Sequence, residues 1–261
     1  MKMMRLIAAL AMPLLLTGCL LFPGKFTSTL DVQRDGSFTF TYAGELVIIE
    51  TSTPPVEFSA SGCYDETTYE DRTCTAADLE KQRKEFDENQ AASNNANKDI
   101  ADFASDDSIA ELVEQLKKQE GWKSVSYRGN RIIDVEYAIT GTMSHGFSFP
   151  MVDGGAGIMP FVTMTRRKDG SVKVIAPAFS STGIDGYLVG LGGMAGAGAT
   201  DAGKPEQFKA DGTFIITTDG NILTNNTEEG PTTAAGRSTL QWVVNSRLDK
   251  SPEALIGLAA K

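Results

Sequence analysis

Turn-forming dipeptides set between runs of alternating apolar and polar residues restrict most of this chain to antiparallel β-structure. Phe26–Val32 and Ser37–Tyr42 alternate apolar with polar on either side of Asp35-Gly36. A period of two puts every second side chain on one face, and an Asp-Gly pair suits a tight hairpin because glycine accepts positive φ. The device recurs at Asp169-Gly170, between Phe161–Thr165 and Val172–Ile175, and at Asp219-Gly220, between Phe214–Thr217 and Ile222–Thr224. Gly129-Asn130 joins Val125–Tyr127 to the long run Arg131–Gly141, and Ser238–Asn245 reads as a further strand. Pro252–Ala260 fits either a last strand or a short helix.

Helical signals are confined to residues 75–120. Thr75-Ala-Ala-Asp78 has the form of a capping box before Leu79–Gln90, and Ser108-Ile-Ala-Glu111 is a second one. Ile109, Leu112, Val113 and Leu116 then repeat at helical spacing until Gly121, so this second helix is expected to lie on the sheet. Ala91–Lys98 is rich in Ala and Asn and has no apolar stripe, which leaves open whether it extends the first helix or links the two.

The N-terminus carries an address. Met1–Arg5 is basic, Leu6–Leu15 is apolar, and Leu16-Thr17-Gly18-Cys19 closes the run. The apolar run is too short to span a bilayer, which needs about 20 residues, and it fits a secretory signal. A cysteine directly after Gly18 makes the segment a lipobox, the site where bacterial lipoproteins are acylated on the thiol and cut before the cysteine. Acylation at Cys19 is therefore expected, and several acyl chains at about 0.8 kcal/mol per CH2 make such an anchor permanent. Loss of residues 1–18 removes Lys2 and Arg5, leaving 22 basic against 34 acidic residues, a net charge of −12. Nucleic acid and anionic lipid headgroups both attract clustered Lys and Arg, so a chain this acidic, without such a cluster, is not expected to bind nucleic acid or, through its surface as a whole, anionic headgroups.

Two cysteines remain after Cys19, Cys63 and Cys74, and export favours a disulfide between them, worth roughly 3 kcal/mol on the chain-entropy model. Structural zinc needs four ligands, and the chain has one histidine, His145. With no Gly-x-Ser-x-Gly elbow beside it, His145 reads as a loop or strand-edge residue rather than a catalytic base. Asp65, Glu66, Glu70 and Asp71 lack the calcium-loop ladder and read as a solvated acidic face. Trp122, Trp242, Phe147, Phe149, Phe161 and Phe214 are expected in the core, with an apolar pocket as the alternative. Gly183–Gly203 holds eight glycines together with Tyr187, Leu188, Val189, Leu191 and Met194, has no usable period, and lacks the Gly-Lys-Ser/Thr of a phosphate loop. It reads as a flexible apolar insertion, and Tyr187, Leu188, Leu191 and Met194 are the candidate ligand contacts.

Several segments carry a resemblance: Leu20–Leu30, Phe38–Tyr42 with Gly44-Glu45, Cys63-Tyr-Asp, Cys74-Thr-Ala, Gly121–Val125, Gly212-Thr-Phe, Thr218–Leu223 and Asn225-Asn-Thr. Along nearly its whole length the chain resembles a group of lipoproteins from alphaproteobacteria such as sphingomonads, a likeness that implies export and acylation and brings no activity with it. The order of lipobox, Asp-Gly hairpin, helix, Gly-Trp, strands and terminal Trp strand is also similar to the mycobacterial LppM lipoprotein family. That likeness implies an α+β domain that handles envelope lipids, and it transfers no site residue.

The expected fold is α+β: a curved antiparallel β-sheet of roughly seven to ten strands with two helices, Ala76–Gln90 and Ile109–Gln119, packed on one side. Residues 1–18 are expected as signal peptide, 19–25 as lipidated tether, and 26–261 as a single domain with a glycine-rich insertion at 183–203. Leu20, rather than Asp, follows the cysteine, so the anchored protein is expected on the periplasmic face of the outer membrane. The expected role is non-enzymatic binding of an envelope lipid or other apolar ligand, without cofactor or metal. The alternative is a scaffold or accessory subunit for envelope proteins, and a carboxylate-based hydrolase is the weakest of the three.

Overall fold

The computed structural model describes residues 21–48, 57–65, 68, 70–103, 105–151, 159–184, 186 and 210–258. In chain order the strands are β1 Leu21–Val32, β2 Ser37–Ile48, β3 Cys63–Tyr64, β4 Asp71–Arg72, β5 Trp122–Gly129, β6 Ile132–Thr142, β7 Phe147–Phe149 and β8 Val162–Arg166. They continue with β9 Val172–Ile175, β10 Asp211–Thr218, β11 Asn221–Asn225, β12 Thr232–Ala234, β13 Arg237–Val244 and β14 Glu253–Gly257. Helix α1 is Ala76–Phe103, helix α2 is Asp106–Leu116, and Pro177–Phe179 forms a short 3-10 turn. The fold is α+β, mostly curved sheet with few helices.

Two sheets carry the architecture. The larger has seven strands in the order β12-β13-β10-β1-β2-β6-β5, the smaller five in the order β11-β14-β9-β8-β7. Within the larger sheet β1 and β10 run parallel, with Lys25 opposite Asp211 and Val32 opposite Thr218, and the other neighbours are antiparallel. Asp35-Gly36 turns the β1–β2 hairpin of this sheet and Asp169-Gly170 the β8–β9 hairpin of the other, while the β5–β6 turn falls one residue later than Gly129-Asn130 suggests, on Asn130-Arg131 at φ 55° and 60°, because Gly129 is still paired with Ile132. Asp219-Gly220 departs from the hairpin expectation: β10 lies in the larger sheet and β11 in the smaller, so this turn carries the chain from one layer to the other. A two-residue turn signal specifies a reversal of direction and leaves the pairing partner to be chosen by packing.

One register row crosses the larger sheet, Trp242–Phe214–Ser28–Tyr42–Tyr137–Trp122. Ser28 is the small residue in it, fully buried, with its hydroxyl bonded to the Thr41 carbonyl at 3.0 Å. Rings from the second layer fill the space above: Phe179 stacks on Phe26 at 4.3 Å and meets Phe214 at 5.4 Å. Phe149 packs on Tyr137 at 4.8 Å, Tyr42 at 5.0 Å, Phe40 at 5.1 Å and Phe161 at 5.8 Å. The alternating burial of β8, β9 and β14 faces this seam, and both sheets belong to one core. Trp122, Trp242, Phe149, Phe161 and Phe214 are thus core residues, with Phe147 packed against them.

Helix α2 buries Ile109, Leu112, Val113 and Leu116 against β5 and joins the same core. Its cap lies one turn earlier than the sequence suggests: Ser105, not Ser108, is the N-cap, and its hydroxyl accepts the Ser108 N–H at 3.3 Å. Helix α1 runs on to Phe103, because no Gly or Pro interrupts residues 76–103 and the Ala-rich stretch keeps helical propensity. It is polar nearly all round; of its described side chains none is buried, and Asp78, Gln82, Phe86 and Gln90 form a half-buried stripe every fourth residue. So α2 covers the sheet, whereas α1, an arm of 28 residues and about 42 Å at 1.5 Å per residue, buries none of its described side chains.

Phe149 is the ring on which the two layers close. Phe149→Ala should lower stability by about 3–5 kcal/mol, as deletion of a core aromatic does, and urea unfolding at unchanged slope measures it.

Candidate functional site

Cys19, the expected acylation site, lies outside the described residues, and so does the signal segment 1–18. Chain geometry still constrains the residues next to it. Leu21 comes two residues after Cys19 and is already in β1, opposite Ile48, with no exposed surface; Phe22, opposite Val47, is equally buried. The tether expected at 19–25 is therefore corrected, since residues 21–25 are strand. Pro23-Gly24 reads as a linker in sequence, yet it forms an irregularity in the β1–β2 pairing, where the register shifts between Pro23 and Phe26. Three steps along β1 oppose two along β2, so Leu21 and Phe26 face the same side despite their odd spacing.

Gly44 and Glu45 build this bulge. A Cβ at Gly44, where φ is +154°, would lie 2.3 Å from the Lys25 carbonyl oxygen, so only glycine fits. Glu45 closes it: one carboxylate oxygen accepts the Lys25 N–H at 2.9 Å and the other accepts from Arg128 at 2.7 Å. Arg128 also bonds Asp134, tying the β5–β6 hairpin to the start of β1. Burial alone would push the Glu45 carboxyl up, but the Lys25 N–H and the Arg128 guanidinium outweigh it and hold the group below its ordinary value. Beneath it the buried Tyr42 hydroxyl donates to the Glu45 carbonyl at 2.8 Å; its titration is pushed well up, by burial first and by the Glu45 charge second.

The same end of the sheet anchors the arm. Asp106, at the start of α2, is tied to this end of the sheet, its carboxylate accepting a hydrogen bond from the Tyr127 hydroxyl. Cys63 and Cys74 are joined, with Cα atoms 5.2 Å apart, closing a loop that ends just before α1. Thr75 and Asp78 form the expected capping box, Thr75 N–H giving to Asp78 at 2.8 Å and Asp78 N–H to the Thr75 hydroxyl at 3.3 Å. Arg72 grips the same carboxylate at 2.6 Å, which with the Thr75 bonds holds Asp78 far below the usual carboxylate range. Phe58 packs edge-on to Phe86 at 5.5 Å beneath the Arg83 guanidinium at 4.8 Å, and Gln82 bonds the Ser61 N–H at 3.0 Å.

The remaining candidates do not converge on this region. Tyr187, Leu188, Leu191 and Met194 lie outside the described residues, as does Glu66. His145 is exposed beyond the far end of β6, its Nδ1 3.1 Å from the Ser144 hydroxyl. Asp65 accepts the Thr68 N–H at 3.0 Å, and among the described residues no group of three or more His, Cys, Asp and Glu is arranged to hold a metal. No described helix is long and apolar enough to cross a membrane. The aromatic face, for which an apolar pocket is the alternative, is packed with Phe149, Phe161 and Phe179. The Glu45–Arg128–Asp134 clamp is not legible in the sequence, where its one signal is Gly44-Glu45 breaking the alternation of β2. No protein-family model, curated protein or solved structure matches the chain.

Two measurements separate the clamp from the arm. Glu45 is stabilising while charged, because its folded-state titration is lowered: the contribution is present at neutral pH and is lost as the pH falls from about 5 through the lowered value. Glu45→Gln should therefore cost stability at pH 7 and little below that window, as urea titrations at both pH values measure. Cys63→Ser with Cys74→Ser should raise hydrogen exchange across residues 57–90 and leave the two sheets protected, since the staple constrains only the arm.

Proposed function

We propose that this chain is a non-enzymatic envelope lipoprotein, acylated at Cys19 and held on the periplasmic face of the outer membrane, whose folded body works at the bilayer surface. One observation carries the reading: the sheet begins two residues after the lipobox cysteine, with Leu21 and Phe22 fully buried. A protein meant to reach far from its anchor has a flexible linker there, tens of residues in a polar or Gly/Ser-rich composition. This one is held close. Leu20 after the cysteine supports the outer membrane, and the resemblance to the LppM lipoprotein family supports work on envelope lipid. The filled aromatic seam favours lipid contact on the outside of the body over an enclosed ligand.

The stapled arm favours a second reading, an accessory subunit for envelope proteins. A polar helix whose described side chains are nowhere buried, and whose described contacts run to its own disulfide loop, leaves that surface outward, as helices that bridge to another protein do.

Cys19→Ser in the full chain should remain an uncleaved precursor, carry no acyl label and leave the membrane fraction on washing. The parent protein should begin at Cys19 with the mass of a diacylglyceryl cysteine. A variant processed and retained like the parent refutes the anchoring.

A further inference from the structure

We infer that the body docks on phospholipid headgroups through one particular end, the end formed by the start of β1, the end of β2 and the β5–β6 hairpin tip Gly129–Arg131. The inference rests on the acylation of Cys19 proposed above and adds which surface meets the bilayer.

Reach decides the orientation. Two peptide units span at most about 7 Å, so a lipid on Cys19 holds Leu21 within that distance of the headgroup zone. Leu21 cannot peel away to lengthen the tether, because it is unexposed and paired with Ile48. The hairpin tip lies level with it: Phe22 pairs with Val47, Val47 with Ile132, and Ile132 with Gly129, while the Ile48 N–H bonds the Arg131 carbonyl at 2.9 Å. The opposite turns, Asp35-Gly36, Asp219-Gly220 and Ala235-Gly236, stand at the far end of strands twelve and eight residues long. At about 3.3 Å per residue β1 alone separates the two ends by roughly 40 Å. Lys25 is exposed at this end, while the Arg128 guanidinium there is held between Glu45 and Asp134, so reach rather than charge selects the face.

The full-length protein, purified in detergent, is reconstituted into phosphatidylethanolamine–phosphatidylglycerol vesicles. Asn130→Cys, Lys25→Cys and His145→Cys variants carry an environment-sensitive thiol fluorophore; Cys63 and Cys74 are bonded and do not react. Lys25 guards against failure of the Asn130 variant, whose residue sits at φ 55°. Labels at positions 130 and 25 should be quenched severalfold more by headgroup-nitroxide lipid than the label at 145, with the reverse order for aqueous iodide. Equal quenching at all three sites on protein that floats with the vesicles overturns the orientation and leaves the acylation intact. Protein that neither floats nor carries a diacylglyceryl mass at Cys19 overturns the acylation, and the orientation with it.

Discussion

The seam of aromatic rings between the two sheets is the contact on which the rest of the structure depends. Phe149 belongs to a strand of three residues, and β8, β9 and β14 are each no longer than five. Strands that short do not form a stable sheet in water without an apolar face to pack on. The row Trp242–Phe214–Ser28–Tyr42–Tyr137–Trp122 supplies that face, and the buried serine in its middle leaves the room that the rings of Phe149, Phe161 and Phe179 need. Burying rings of 150–250 Å² apiece is worth several kcal/mol each, which is large beside a typical net stability of about 5–15 kcal/mol.

Rigidity in that core reaches the surface at the first strand. Tyr42 lies in the aromatic row, and its hydroxyl holds the Glu45 backbone, while the Glu45 carboxylate holds Lys25 and Arg128. The bulge, the hairpin tip and the two roots of the arm are thereby fixed with respect to Leu21. On the proposed anchoring, a lipid two residues upstream is attached to a solid corner rather than to a string, and the anchor sets orientation as well as location. The disulfide acts on a smaller scale: it organises the arm locally, through Arg72, Thr75 and Asp78, without help from the core.

Much of the fold was legible in the sequence wherever a local rule has a single outcome. Asp35-Gly36 and Asp169-Gly170 reverse the chain between alternating strands, and Gly129-Asn130 marks the β5–β6 reversal to within one residue, because a short turn with positive φ has few other uses. Ile109, Leu112, Val113 and Leu116 mark the buried face of α2 because helical spacing leaves them no other side. Elsewhere two local signals competed. Ser105 and Ser108 are both good caps, and the extra turn was decided by Asp106 and Asp107, which suit the positive end of a helix. Pro23-Gly24 has the composition of a linker, and nothing within six residues reveals that Gly44, twenty positions on, makes room for it as a bulge.

By itself the sequence determined the cysteine pair, the strand and helix types and most of the turns, since each depends on residues within a few positions of one another; the lipobox pattern on which the proposed anchoring rests is local in the same way. The tertiary structure decided what depends on distant residues. It made β1 and β10 parallel neighbours, sent Asp219-Gly220 across layers instead of into a hairpin, filled the aromatic face with rings from β7 and the Pro177–Phe179 turn, and left the described side chains of α1 unburied. Partner choice between strands is settled by the burial of whole faces, and no periodicity along one strand records which other strand will cover it.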